Sequence, residues 1–475
     1  MSFWKWHASN LNVERLGQVK AKEGPLAVPP LRQTQTRRPR LHPKVAMVHS
    51  IGRLQLTKNV LPTCGDQRRF PTSSLTNSSD EPFIQTTSTK IKGHYTIMFR
   101  LLAHTLFLLH AFVPGYIVAE EPTVIASSEV ALPKQPQASI SSDGAIHVVF
   151  GVGEDVVYCH STDNGYTFSE PRVAFQIPNL ALGMRRGPRI SAVGNALIVS
   201  AIGGKQGKGK DGDLVAWRSV DRGRTWQGPV QVNDENASAR EGLHAMAASS
   251  TGDTWCTWLD LRNDRTELFA SMSSNGGASW SPNQLVYRSP EKSVCECCHP
   301  SIAIQDGRVQ ILFRNSLRGN RDMYLTTVKS ESVVPETKSI RLGTEHWELN
   351  RCPMDGGMLA IDSQGMITTV WRRGREIFAA NADGAEEQLI GFGEQPWVTS
   401  SSNGPIAVWS VRRDGELMFK SIAGGEPQTI AKVARDAIIV AEPTSGRVAL
   451  VLWEQSEKGR SSILAKRIGL SPQRP

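Results

Sequence analysis

The sequence predicts an all-β chain folded as a propeller of six or seven four-stranded blades. Three observations predict it. First, a turn signature, Ser-x-Asp-x-Gly-x-Thr-aromatic, occurs as STDNGYTF from Ser161 and SVDRGRTW from Ser219, with a looser copy, SSNGGASW, from Ser273. These copies start 58 and 54 residues apart, a spacing suited to four-stranded blades. Second, a turn glycine followed by a β-rich run recurs seven times: DGAIHVVFG, GNALIVSAI, GDTWCTWLD, GRVQILFRN, GMITTVWRR, GPIAVWSV and GRVALVLWE. Third, long helical patterns are absent.

The chain opens on a segment outside this pattern. Residues 1–97 hold 15 Lys+Arg against 5 Asp+Glu, whereas the other 378 residues hold 39 against 40. The formal charge of +9 is therefore a property of the leader, and a neutral body excludes a nucleic-acid-binding domain. Without apolar periodicity the leader buries no core, so 1–97 is expected to be disordered or a mis-called N-terminal extension. Residues 98–119 follow, MFRLLAHTLFLLHAFVPGYIVA, with Arg100 ahead of a mostly apolar run broken by Pro114 and Gly115. This is the pattern of a signal peptide, too short to span a bilayer. Translation is thus expected to begin at Met98. Export to the periplasm or the extracellular space follows, with a mature chain of residues 120–475 that carries no transmembrane span. Six of the seven cysteines lie in that part, where disulfides persist.

Within 120–475 each unit reads the same way. A short small-residue strand (PRISAV, PSIAIQ, GMLAID) precedes the glycine-led run, and a third strand (DLVAWRSV, ELFASMSS, DMYLTTVK) follows it. Seven units are present, and TVIASSEV from Thr123 is placed to supply the outer strand of the last blade. Each position of the turn signature has a role. The Asp carboxylate accepts local N–H groups, the glycine takes positive φ, and the aromatic packs back on the hairpin.

This turn is similar to the Asp-box of the sialidase (BNR-repeat) superfamily, and the chain resembles an uncharacterised secreted branch of that superfamily over most of 120–475. The resemblance implies a sialidase-like propeller of six blades, one fewer than the units counted here. It also implies exo-α-sialidase-like glycan chemistry, hence a glycosidase or a carbohydrate-binding protein. Two family positions do not carry over. The first-blade arginine segment is replaced by QPQASIS, and the late tyrosine nucleophile has no counterpart, since the last tyrosine is Tyr324.

Blade strands alternate in direction, so interblade loops share one face with the loops joining the second and third strands. The Asp-type turns occupy the other face. On the first face fall GMRRGPR (183–189), AREGLH (239–244), SVCECCHPS (293–301), HWELNRCPMDGG (346–357) and GFGEQPW (391–397). A rigid scaffold that collects such loops is suited to a polar site. Guanidinium forks hold carboxylates in pairs of hydrogen bonds, so Arg186, Arg189, Arg314 and Arg351, with Asp322, are candidate contacts to a glycan or other anionic small ligand. Glycoside cleavage needs a proton donor and a second carboxylate or base, and Glu241, His244 and Asp355 are the candidates. The alternative is that Asp322 and Asp355 pair with neighbouring arginines. Trp397 and Tyr324 are either sugar platforms or blade core.

The cysteines leave three readings. Aligning SIAIQDG with MLAIDSQG places Cys295 and Cys352 at equivalent points of adjacent blades. Cys295, Cys297, Cys298 and Cys352 then form one or two disulfides, a copper or zinc site with His299 as a further donor, or a reduced thiol pair. Cys159 and Cys256 lie within strands and are expected to be buried. A non-catalytic propeller binding a glycan, peptide or soft metal through this cysteine-rich mouth is the alternative to an enzyme.

Overall fold

The computed structural model describes residues 121–470 except 330–331, 336–338, 383, 385, 443–445 and 447. Residues 1–97, expected to be disordered or a mis-called extension, residues 98–119, expected to be a signal peptide, and Glu120 lie outside the described residues. Among the described residues, the regular elements are strands, and they gather into seven blades. The innermost strands are Pro133–Ile140, Arg189–Val193, His244–Ala248, Ser301–Gln305, Met358–Ile361, Glu394–Ser401 and the second half of Gln428–Ala441. Each lies beside the inner strand of the next blade, and the seventh returns to the first. The ring is closed, and the choice between six and seven blades falls to seven.

Burial is greatest in the second and third strands of a blade and falls toward the outer strand, which explains the residue types. In blade 3 the second strand, Thr254–Asp260 (TWCTWLD), is buried at every position, because a blade covers it on each side. The outer strand of blade 2, Gln227–Gln231, is mostly exposed and reads QGPVQ. The cores lie between blades. Val149, Val156 and Tyr158 of blade 1 pack on Ile190, Val199 and Trp217 of blade 2. Leu259 and Leu268 of blade 3 likewise pack on Ile302, Ile311 and Phe313 of blade 4. Cys159 and Cys256 are fully buried in such layers.

The three turn signatures build one network. Asp163 accepts from the Thr167 N–H at 2.9 Å and from its hydroxyl at 2.6 Å, while the Ser161 hydroxyl donates to the same carboxylate at 2.7 Å. Asp221 repeats this with Thr225 and Ser219. In the third copy the Asn275 carbonyl accepts from the Ser279 N–H at 3.0 Å, and its amide donates to the Ser279 hydroxyl at 2.8 Å. An amide thus serves where the hydroxyl partner accepts instead of donating. Gly223 stands at φ +80°, and a Cβ there would collide with the ring of Tyr158 in the preceding blade. The turn therefore also seals one blade on another.

Closure uses two devices. Gln428–Ala441 is a single strand that pairs with blade 6 up to Ala434 and with blade 7 from Arg435. At the other end Thr123–Ser128 adds to the rim of blade 7 by pairing with Arg460–Gly469. The segment expected to complete the last blade does so, and the first and last strands are hydrogen-bonded together. Among the described residues no helix is long and apolar enough to cross a membrane.

Candidate functional site

The mouth of the channel is organised by an arginine of the GMRRGPR loop that the sequence did not single out. Arg185 sits in the loop entering blade 2, is 2% exposed, and donates to the Gln395 side-chain oxygen at 2.7 Å and main-chain oxygen at 2.6 Å. It also donates to the Ala437 carbonyl at 2.7 Å and lies over the Trp397 ring at 4.9 Å. The loop from blade 1 to blade 2 is thereby tied to blades 6 and 7. Backbone geometry permits this: Gly183, Met184, Arg185 and Gly187 all have positive φ, so the chain doubles back within five residues. Asp436, Asp355 and Glu454 offset the burial that lowers the Arg185 pKa.

Arg189 and Arg314 are directed at carbonyls. Arg189 opens its inner strand, and its guanidinium donates to the carbonyls of Gly187 at 3.0 Å, Pro188 at 3.1 Å and Arg185 at 2.5 Å. Arg314 donates to the carbonyls of Asp355, Arg321 and Arg372 at 3.0, 2.5 and 3.0 Å, beneath the Trp347 ring. Both are buried, and these bonds fasten loops. Asp322 accepts from the Trp347 N–H at 2.8 Å and bonds His346, so it anchors the loop entering blade 5. His244 is fully buried with Nε2 on the Ser200 hydroxyl at 3.0 Å, and burial keeps its pKa well below the usual histidine value. Asp355 is fully buried too. One of its oxygens accepts from the Gln395 N–H at 2.8 Å and faces Arg372 at 3.4 Å, and burial raises its pKa against the opposing pull of that guanidinium.

The inner mouth retains hydrogen-bonding capacity. Gln135 Oε1, His244 Nδ1, His299 Nε2, Asp355 Oδ1 and Asp436 Oδ1 are buried without a partner among the described residues. Glu454 accepts from the Gln135 N–H at 2.6 Å, and its pKa is pushed up to about 7 by burial and by Asp436.

At the rim the picture differs. Arg186 and Glu241 are only half-buried, and Arg186 donates to the Glu241 carbonyl at 2.7 Å. Burial raises the Glu241 pKa; the Arg186 charge opposes this and the Glu296 charge adds to it. Glu296, an exposed residue that sequence reasoning passed over within the cysteine motif, thus acts on Glu241 through its charge from the loop entering blade 4. Only the blade alignment could have signalled it. Arg351 and Cys352 are exposed on the same face. Trp397 is buried against His299 and Arg185, and Tyr324 packs with Phe313 and Tyr287 beside the blade 3–4 layer. On the same face an open cleft of about 320 Å³ lies between Leu132, Lys134, Asp155 and Leu182 at the edge of blade 1, and its lining is mainly aliphatic.

The cysteines divide between two states. Cys297 and Cys352 form a disulfide joining the loops that enter blades 4 and 5, with Cα atoms 6.1 Å apart. Cys295 and Cys298 are free, buried, and 3.4 Å apart at sulfur. Cys295 Sγ is also 3.7 Å from Cys297 Sγ, and Met354 packs against the group. The Cys298 hydrogen bond holds the Cys295 thiol down at about 6, helped by Arg314 and Arg321. The three sulfurs of 295, 297 and 298 lie within 4.8 Å of one another and could hold a metal ion.

No protein-family model and no curated protein matches the chain. Among solved structures, a protein of unknown function from Dyadobacter fermentans DSM 18053 aligns with 76% of this chain and 100% of its own, at 14% identity and TM-score 0.46. The Penicillium chrysogenum α-L-arabinanase complexed with arabinobiose aligns over 73% of this chain and 97% of its own, at 14% identity and TM-score 0.44. The NanB sialidase from Streptococcus pneumoniae aligns over 74% and 71%, at 12% identity and TM-score 0.42. The propeller expected from the sequence is the fold that the strand pairing shows. Its seven blades rest on the strand pairing described above, and at this level of likeness no activity passes to the chain.

Proposed function

We propose that the protein is an exported, glycan-active propeller of the BNR-repeat kind, and that it cleaves or holds an anionic sugar at the rim of its channel mouth. One observation carries the reading. Among the candidate side chains, Arg186 and Glu241 stay half-exposed at one spot, an arginine beside a carboxyl of raised pKa with a second carboxylate, Glu296, near it. Leaving-group protonation calls for an acid whose pKa is raised, the direction in which burial moves Glu241, and Glu296 is the candidate second carboxylate. Arg186 and the exposed Arg351 would meet the sugar's negative charge. The buried Arg189, Arg314, Asp322, His244 and Asp355 would keep the loops in register under it.

A fluorogenic sugar panel and a glycan array, run on wild type, Glu241→Gln and Arg186→Ala, test this. Turnover should fall at least about a hundredfold in Glu241→Gln with binding kept, and binding should weaken in Arg186→Ala. Binding without turnover in any form selects the lectin-like alternative. Neither turnover nor binding ends the reading. Export is tested separately: N-terminal sequencing of secreted material should begin near Glu120, and an intact 1–97 segment would refute the signal peptide.

A second reading has its own observation. The neighbouring free thiols of Cys295 and Cys298, with the Cys297 sulfur of the disulfide beside them, favour a soft-metal site, for copper or zinc, beside the sugar-binding rim.

A further inference from the structure

We propose that Cys295 and Cys298 hold one monovalent copper ion between their sulfurs, with the Cys297–Cys352 disulfide as a fixed wall of the site. This deepens the soft-metal reading and rests on it.

The donor set selects the metal. With Cys297 in a disulfide, two thiols remain, 3.4 Å apart and almost fully buried. Among the described residues, no histidine or carboxylate joins their group. Zinc takes four nitrogen, sulfur or oxygen donors in a tetrahedron, so a two-thiol set leaves it half-coordinated. Copper(I) is soft and stable with two thiolates, and another sulfur-bearing side chain, Met354, packs on the cluster. Loading replaces both thiol protons by one Cu⁺, and no electron moves. The bound unit carries one net negative charge, which Arg314 and Arg321 are near enough to offset. A sulfur-only, buried setting also keeps water from the ion.

The wall has a structural basis. Cys297 Sγ lies 3.7 and 3.9 Å from the two thiol sulfurs, so its pairing with Cys352 caps the pocket toward the exposed loop of blade 5. Arg314 joins that loop to blade 4 through the Asp355 carbonyl, so the two thiols are held together whether or not metal is present.

The experiment uses the full mature chain with its disulfide intact. Copper(I) is supplied as its acetonitrile complex with ascorbate, which leaves disulfides unreduced, against a chromophoric copper(I) chelator; zinc is titrated in parallel. One copper(I) per chain should bind, with no zinc retained. Copper loading should also protect Cys295 and Cys298 from alkylation in the wild type, read by peptide mass spectrometry. Copper should be lost in Cys295→Ser and in Cys298→Ser, and retained in the Cys297→Ser/Cys352→Ser double variant. Zinc bound in place of copper, or copper that leaves both thiols open to alkylation, overturns the copper assignment while the soft-metal reading stands. Binding of neither ion, with the disulfide intact or reduced, overturns both.

Discussion

Two buried or networked carboxyls set opposite pH responses. Glu454 has its pKa raised from 4.5 to about 7 by burial and by the neighbouring Asp436. The folded state therefore holds this proton more tightly than the unfolded chain does. Its contribution is fully present below 4.5 and is lost as pH rises through about 7. Glu454→Gln, which keeps an acceptor for the Gln135 N–H, should flatten the fall in thermal midpoint between about pH 5 and about pH 8. An unchanged slope would show that Glu454 does not titrate in this range. Asp163 works the other way: hydrogen bonds from Thr167 and Ser161 lower its pKa to about 2. Its stabilisation is present above 3.8 and is lost as pH falls through about 2. By analogy with helix caps, Asp163→Ala should cost about 0.5–2 kcal/mol in denaturant titration. Glycan binding should be untouched, since the turn lies on the opposite face. These turn residues were legible from their spacing alone, because every partner of Asp163 lies within four residues of it.

Elements are joined here by turns and by arginines, and each kind of joint has a test. Gly144 and Gly223 both stand near φ +80°, so alanine costs each about 1 kcal/mol of left-handed strain. A Cβ at Gly144 meets nothing within 4 Å, whereas one at Gly223 meets the Tyr158 ring. Gly223→Ala should therefore destabilise by about 1–3 kcal/mol more than Gly144→Ala, and equal losses would remove the blade-sealing role of this turn. Arg314 binds the carbonyls of Arg321 and Asp355, in loops of blades 4 and 5, and of Arg372 at the end of the second strand of blade 5. Arg314→Lys should cost at least about 2 kcal/mol, because an ammonium cannot reproduce the planar fork and leaves buried carbonyls unpaired. Recovery of full stability by Lys would mean that charge alone is needed. The sequence marked Arg314 as a ligand contact because its position at the mouth is the same for either role; only the direction of its donors separates them.

At the scale of the molecule, stability depends on closing the ring. Thr123–Ser128 covers the edge strand Arg460–Gly469, which would otherwise present unpaired N–H and C=O groups. A chain lacking 121–129 should lose cooperative thermal unfolding and associate through the bared edge, read by calorimetry and light scattering. A monomeric, cooperatively folding truncation would show that blade 7 holds without its rim strand. Folding of the last blade should also await the rest, since its partners are separated by more than 300 residues.

What the sequence by itself determined is what short-range chemistry encodes: the turns, the strand units, the alternation that sends two sets of loops to each face, and the strand able to close the ring. Each depends on residues a few positions apart, so the pattern survives without knowledge of the fold. Tertiary structure decided the rest. It placed Arg185 against Ala437, 252 residues away, and paired Cys297 with Cys352 while leaving Cys295 and Cys298 as thiols. It turned Arg189 and Arg314 inward and left Arg186, Glu241 and Glu296 at the rim. Those outcomes depend on where seven blades bring their loops together, and whether a charged side chain faces carbonyls or solvent is set by that convergence and not by its neighbours in the chain.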